Sequence, residues 1–168
     1  KPFIPSQASL PTRRMERPNT SRGEYIVARK FAKIKPAFWR IKKLKNVSVE
    51  ARLLAIYLMT NEYFQMVGIY RLHPYFMAND TGLTEEKSLI ALNELIDCTF
   101  CKYDFDEQVV WVVDMAVSQV ADNPNQKQIT GVCNELNRLC FEEGLPFAEE
   151  FLQKKTDYHL VDNFNQQL

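Results

Sequence analysis

The eleven residues MANDTGLTEEK, from Met77 to Lys87, limit what this chain can fold into more than any other stretch. They place Gly82 where an incoming helix has to end in a left-handed residue, a conformation glycine adopts without a Cβ clash. Two positions later, Thr84 offers the side-chain oxygen that caps the free N–H groups of a following helix. Glu85 and Glu86 fill the first turn, where negative charge suits the positive end of the helix dipole. Two helices joined by so short a turn cross steeply, and the surrounding chain has to build a core around that corner.

The flanking segments supply it. After Thr84, residues Leu89, Ile90, Leu92, Leu95 and Ile96 recur at helical spacing, which predicts a helix to about Cys98 with that set buried and Ser88, Ala91, Asn93 and Glu94 outward. FCKYDF and VVWVV are β-rich runs separated by Asp106, Glu107 and Gln108, which predicts a hairpin. Upstream, VSVEARLLAIYLMTNEY clusters Leu53, Leu54, Ile56, Tyr57 and Leu58 behind a Ser48 cap, and GIYRL reads as a short strand. Helix, strand, helix, turn, helix, hairpin is the order of a winged helix-turn-helix, mainly α with a small β wing.

A chain of 168 residues with 46% hydrophobic content suits a single small domain with tails. The expected division is an arm over residues 1–30, the winged domain over 31–120, and a linker with C-terminal helices over 121–168. In that last part VADNPNQKQ is polar, while Ile129, Val132, Cys133, Leu136, Leu139, Cys140 and Phe141 form a helical stripe before Gly144 and Pro146. PFAEEFLQKK then completes a C-terminal helical hairpin, whose stripe either packs back on the winged domain or forms a homodimer interface.

Net charge is zero, but its distribution is uneven. Residues 1–45 hold 13 Lys or Arg against only Glu16 and Glu24, a net +11 that the rest of the chain offsets with −11. The first thirty residues contain four prolines and little apolar periodicity, as an extended or disordered arm would. Arg29, Lys30, Lys33, Lys35, Arg40, Lys42, Lys43 and Lys45 then interleave with Phe31, Ile34, Phe38, Trp39, Ile41 and Leu44. Such a segment packs its apolar side chains and turns its charges to water, where they either attract the phosphates of nucleic acid or merely balance the acidic body.

Catalytic patterns do not occur. The chain lacks a GxxxxGKS/T phosphate loop, a GxGxxG turn, HExxH and GxSxG, so no enzyme, cofactor or small-molecule substrate is expected. His73 and His159 stand alone, and His73 before Pro74 reads as a helix-start residue. Cys98 and Cys101 form a CxxC, but Cys133 and Cys140 are seven apart on an apolar helix face, so four buried free thiols are expected rather than a zinc site or disulfides. No apolar run approaches the ~20 residues that span a bilayer, and an intracellular protein without a membrane partner is expected.

Residues 33–156, from KIKPAFWRIKKLK through MANDTGLTEEKSLIALNELIDCTFCKYDFDEQVVWVV to NPNQKQITGVCNELNRL and FAEEFLQKK, resemble the winged-helix proteins of phages and prophages associated with replication initiation. These are similar to the N-terminal domain of primosomal DnaD-type proteins. The resemblance implies DNA binding in replication, as an origin binder or helicase-loading accessory, in the cytoplasm of a bacterial host cell. It carries over a strand at 68–72, a turn at 81–84, a recognition-type helix at 84–98 and a wing at 100–113. One departure is Thr99, where the family usually has glycine between helix and wing.

Two interfaces follow. For double-stranded DNA, the eight cations from Arg29 to Lys45 would hold phosphates, with Arg71, Lys87 and Lys102 as lesser contacts. Thr84, Lys87, Ser88 and Asn93 would face base edges. Glu85 and Glu86 oppose such docking, and the wing tip, Asp104, Asp106 and Glu107, is also acidic. The alternative is that these acids dock a basic protein such as a helicase, a loader or a second copy. A transcription regulator would use the same parts as a replication protein. DNA is favoured if the charges of 29–45 lie beside the Thr84 helix, and protein if they lie away from it.

Overall fold

Side-chain caps and proline set the helix boundaries. The computed structural model describes residues 31–119 and 125–153. The arm at 1–30 and residues 120–124 and 154–168 lie outside the described residues. Two 3-10 turns, Pro36–Arg40 and Lys42–Leu44, lead to α1 (Val49–Thr60), β1 (Ile69–Arg71), α2 (Pro74–Thr81) and α3 (Glu85–Asp97). Then come β2 (Cys101–Asp104), β3 (Val109–Val112), α4 (Met115–Gln119), α5 (Gln126–Asn137), a π-helical turn Arg138–Glu142, and α6 (Ala148–Gln153). The chain is mainly helical with a small antiparallel sheet in the order β1-β3-β2. No helix among the described residues is long and apolar enough to cross a membrane.

Ser48 Oγ accepts from the Ala51 N–H at 3.1 Å and starts α1. Before Pro74, His73 Nδ1 accepts from the Tyr75 N–H at 3.0 Å, so this histidine is a cap. Gly82 ends α2 at φ 73°, and Thr84 Oγ1 accepts from the Lys87 N–H at 3.3 Å to open α3. α3 ends in a Schellman pair, in which the Phe100 N–H donates to the Leu95 carbonyl and the Thr99 N–H to the Ile96 carbonyl, both at 2.9 Å. Thr99 holds the left-handed position of that motif, at φ 57°. The departure from glycine therefore leaves the turn intact, with a threonine in a strained conformation.

The inward face of α3 differs from the one its apolar spacing predicts. Ser88, Ala91, Leu92 and Leu95 are buried, whereas Leu89 and Ile90 are 38% and 54% exposed. Ser88, Ala91, Leu92 and Leu95 also lie at i, i+3, i+4 and i+7, and their two small side chains admit the neighbouring helices closely. Glu94, expected outside, is half-buried and accepts from the Ser48 N–H at 2.7 Å at the start of α1.

All four β3 residues are buried because the sheet is covered on both faces. Tyr70, Cys101, Tyr103, Val110 and Val112 join the core of α1, α2 and α3. Ile69, Val109 and Trp111 join Val132, Leu136, Leu139, Ala148 and Phe151 in a second core under α5 and α6. The pairings Ile69–Trp111 and Tyr70–Val110 separate these faces by strand alternation. Gly68 (φ 85°) lets the chain reach β1, since a Cβ there would stand 2.6 Å from Met115 Cβ and 2.8 Å from the Val112 carbonyl.

The C-terminal stripe is thus spent against the outer face of the sheet. Phe141, expected on that stripe, is 65% exposed. It falls within the π-helical turn, whose extra residue per turn rotates it off the buried line.

Candidate nucleic-acid interface

The two 3-10 turns over residues 36–44 follow a three-residue period. Phe38, Ile41 and Leu44 form one stripe, with Phe38 and Leu44 buried against the α1–α3 core and Ile41 half-buried. Ala32 and Val47 also pack against that core, and the charged side chains turn outward. Lys33, Lys35, Arg40, Lys42, Lys43 and Lys45 are exposed, and so are three apolar residues expected to pack, Phe31, Ile34 and Trp39. Trp39 is 68% exposed, with its ring in a T-shaped contact with Phe38 at 5.3 Å between centroids.

This segment is tied to the body at three places. Arg52 on α1 donates to the Leu44 and Lys45 carbonyls at 3.2 and 2.9 Å. The Lys33 backbone exchanges two hydrogen bonds with the Gln119 side chain on α4, at 3.2 and 3.0 Å. Lys43 Nζ donates to the Thr99 carbonyl at 3.2 Å and to Asp114 at 3.1 Å. The last contact places Lys43 at the C-terminal end of α3, about 20 Å along the helix from Glu85 at ~1.5 Å per residue.

A cleft of about 280 Å³ opens in the segment, bounded by Trp39, Arg40, Lys42, Lys45 and Arg52 with Phe38, Ile41 and Leu44 between them. Four of its residues are cationic and none is acidic. Of the six described cations from Lys33 to Lys45, only Lys43 pairs with a carboxylate among the described residues. Arg29 and Lys30 lie outside the described residues.

Cations around α3 and the hairpin are differently placed. Lys87 pairs with Glu50 at 3.5 Å, Arg71 with Glu107 at 3.1 Å, and Lys102 with Glu150 of α6 while lying over the Trp111 ring. Lys102 is thus held between the sheet and the C-terminal helices, where Glu150 competes with the phosphate contact expected of it. Ser88 is 1% exposed, so it presents nothing to a base edge. Thr84 and Asn93 are exposed, and Thr84 caps its own helix.

The acidic residues also divide. Glu85, Glu86 and Asp106 are exposed. Asp104 instead accepts from the Asp106 and Glu107 N–H groups at 3.0 and 2.8 Å and holds the hairpin turn, and Glu107 is engaged by Arg71. The hairpin acids expected to meet a partner are therefore partly structural.

The four cysteines are free, with Cys101 and Cys133 buried and Cys98 and Cys140 half-buried. Burial pushes the Cys101 thiol up to about 12 and raises those of Cys133 and Cys140. Among the described residues no group of three or more His, Cys, Asp or Glu could hold a metal ion. His159 lies outside the described residues.

The sequence reading missed Arg52 as a brace and Trp39 as a surface residue. The three-residue spacing of Phe38, Ile41 and Leu44 after Pro36 was the signal for the second. No protein-family model matches the chain, and no curated protein or solved structure was found to match it.

Proposed function

We propose that this chain is a winged-helix nucleic-acid-binding protein that acts without catalysis in replication of phage or mobile-element DNA. The order of helices and strands, with a hairpin beside β1, supports the winged-helix reading. The observation that carries the reading is the run of exposed cations Lys33, Lys35, Arg40, Lys42 and Lys45, free of carboxylate partners among the described residues. Each such charge that meets a phosphate releases a counterion, so affinity resides in this segment. The replication role rests on the resemblance of residues 33–156 to phage replication proteins.

α3 contributes less, since Glu85 and Glu86 flank its only cation, Lys87, and Ser88 is internal. Its outward face carries Glu85, Glu86, Leu89 and Ile90, and Lys43 anchors the basic segment at the opposite end. That favours a second role for this face, the docking of a basic helicase or loader.

Fluorescence anisotropy with a random DNA duplex tests the main reading. Replacing Lys35, Arg40, Lys42 and Lys45 by Ala should lower the salt slope by up to about 3.6, at ~0.9 per lost duplex phosphate contact. An unchanged slope would remove the segment from the interface.

A further inference from the structure

We propose that the cleft beside Trp39 is a binding site for single-stranded nucleic acid, taking an unpaired base on the indole and the adjoining phosphates on Arg40, Lys42 and Lys45. The inference rests on the nucleic-acid reading above and gives that surface its substrate class. Phosphate attraction alone would need only the cations. Exposing an indole to water is unfavourable, yet Trp39 is 68% exposed while the other tryptophan, Trp111, is fully buried.

The surroundings of Trp39 match what a single strand presents. The ring meets Phe38 in a T-shaped contact, which restricts its plane, and its 68% exposure leaves indole surface open to a base. The cleft, about 280 Å³, is lined by four cations and no acid. Phe31, 75% exposed, lies in the same segment and offers a further ring. Aromatic faces interleaved with unpaired cations bind single strands with little sequence preference, because every base has a π-face. Duplex DNA keeps its bases stacked on one another and cannot use Trp39 in this way. The bases would come from an opened duplex, the form in which replication exposes them.

The test uses the full chain with an oligothymidylate about ten residues long and a duplex of random sequence. Binding of the oligothymidylate should quench the long-wavelength emission of exposed Trp39 and spare that of buried Trp111. Trp39→Ala should weaken strand binding about five- to a hundredfold, change duplex binding less than about twofold, and leave the melting temperature unchanged. Trp39→Phe should restore most of the strand affinity without the quench. If Trp39→Ala binds the oligothymidylate as its parent does while salt-sensitive duplex binding persists, the cleft is not a base site and the phosphate reading stands. If the parent binds neither probe, both readings fail.

Discussion

Glu135 Oε1 on α5 accepts a hydrogen bond from the Val67 backbone N–H at 2.7 Å, and its second oxygen accepts from Met66 at 3.2 Å. This carboxylate fastens the C-terminal helices to the residues just before β1. Each hydrogen bond to a charged acceptor contributes about 1.5–3 kcal/mol. Glu135→Ala removes both and should therefore destabilise the fold by about 3–6 kcal/mol, with Trp111 in the second core as the fluorescence reporter of denaturant unfolding. A loss below about 0.5 kcal/mol would mean that apolar contacts alone hold α5 in place.

Thr99 closes α3 at φ 57°, where a β-branched residue is strained. Thr99→Gly removes a left-handed penalty of about 1–2 kcal/mol and adds about 0.5–1 kcal/mol of backbone freedom in the unfolded chain. The expected net gain is about 0.5–1 kcal/mol, a rise of about 1–4 °C in melting temperature for a chain of this length. A fall in melting temperature would show that the threonine side chain stabilises the turn more than its backbone strains it.

Ser88 Oγ is buried without a hydrogen-bond partner. Ser88→Ala removes that hydroxyl and introduces the best helix former, so stability should hold or rise by about 1 kcal/mol. Because Ser88 faces the core, duplex affinity should stay within about twofold. A tenfold loss of affinity at unchanged stability would return Ser88 to the interface.

Burial holds the Cys101 thiol at about 12, above its ordinary value of 9.0, and raises the Tyr70 phenol further, so both favour folding in their neutral forms. Their contribution is complete below pH 9 for the thiol and is lost as pH rises from there through about 12. For Cys101 the loss reaches about 2 kcal/mol at pH 10.5, at ~1.36 kcal/mol per unit. Cys101→Ala should flatten the decline in denaturant midpoint between pH 8 and 10.5 relative to its parent. Parallel curves would assign the alkaline loss to the tyrosines alone.

Local rules made much of the fold legible. Gly82, Thr84 and Ser48 act through their own backbone neighbours, so sequence alone places the corner and the starts of α1 and α3. The orientation of α3 was not legible, because apolar residues at 89, 90, 92, 95 and 96 cover more than one stripe and only packing chooses among them. VVWVV is apolar at every position, the pattern of a strand covered on both faces, yet what covers it, α5 and α6, lies far along the chain. The same distance hid the pairing of Lys102 with Glu150. Within the candidate site the cations were legible from charge alone. The exposure of Trp39 depended on a 3-10 period rather than a helical one.

Reversing Glu85 and Glu86 to Lys separates the two ends of α3. If affinity resides in the 33–45 segment, the new charges lie about 20 Å from the Lys43 anchor, beyond the ~8 Å Debye length at physiological salt. Duplex affinity at that salt should then change less than about threefold. The double variant should lose about 0.6–2 kcal/mol of stability, because two cations replace two anions at the positive end of the helix dipole. A tenfold gain in duplex affinity would put the first turn of α3 against phosphate and make it a true recognition helix. Unchanged DNA binding together with loss of a helicase or loader from the complex would assign the acidic face to protein.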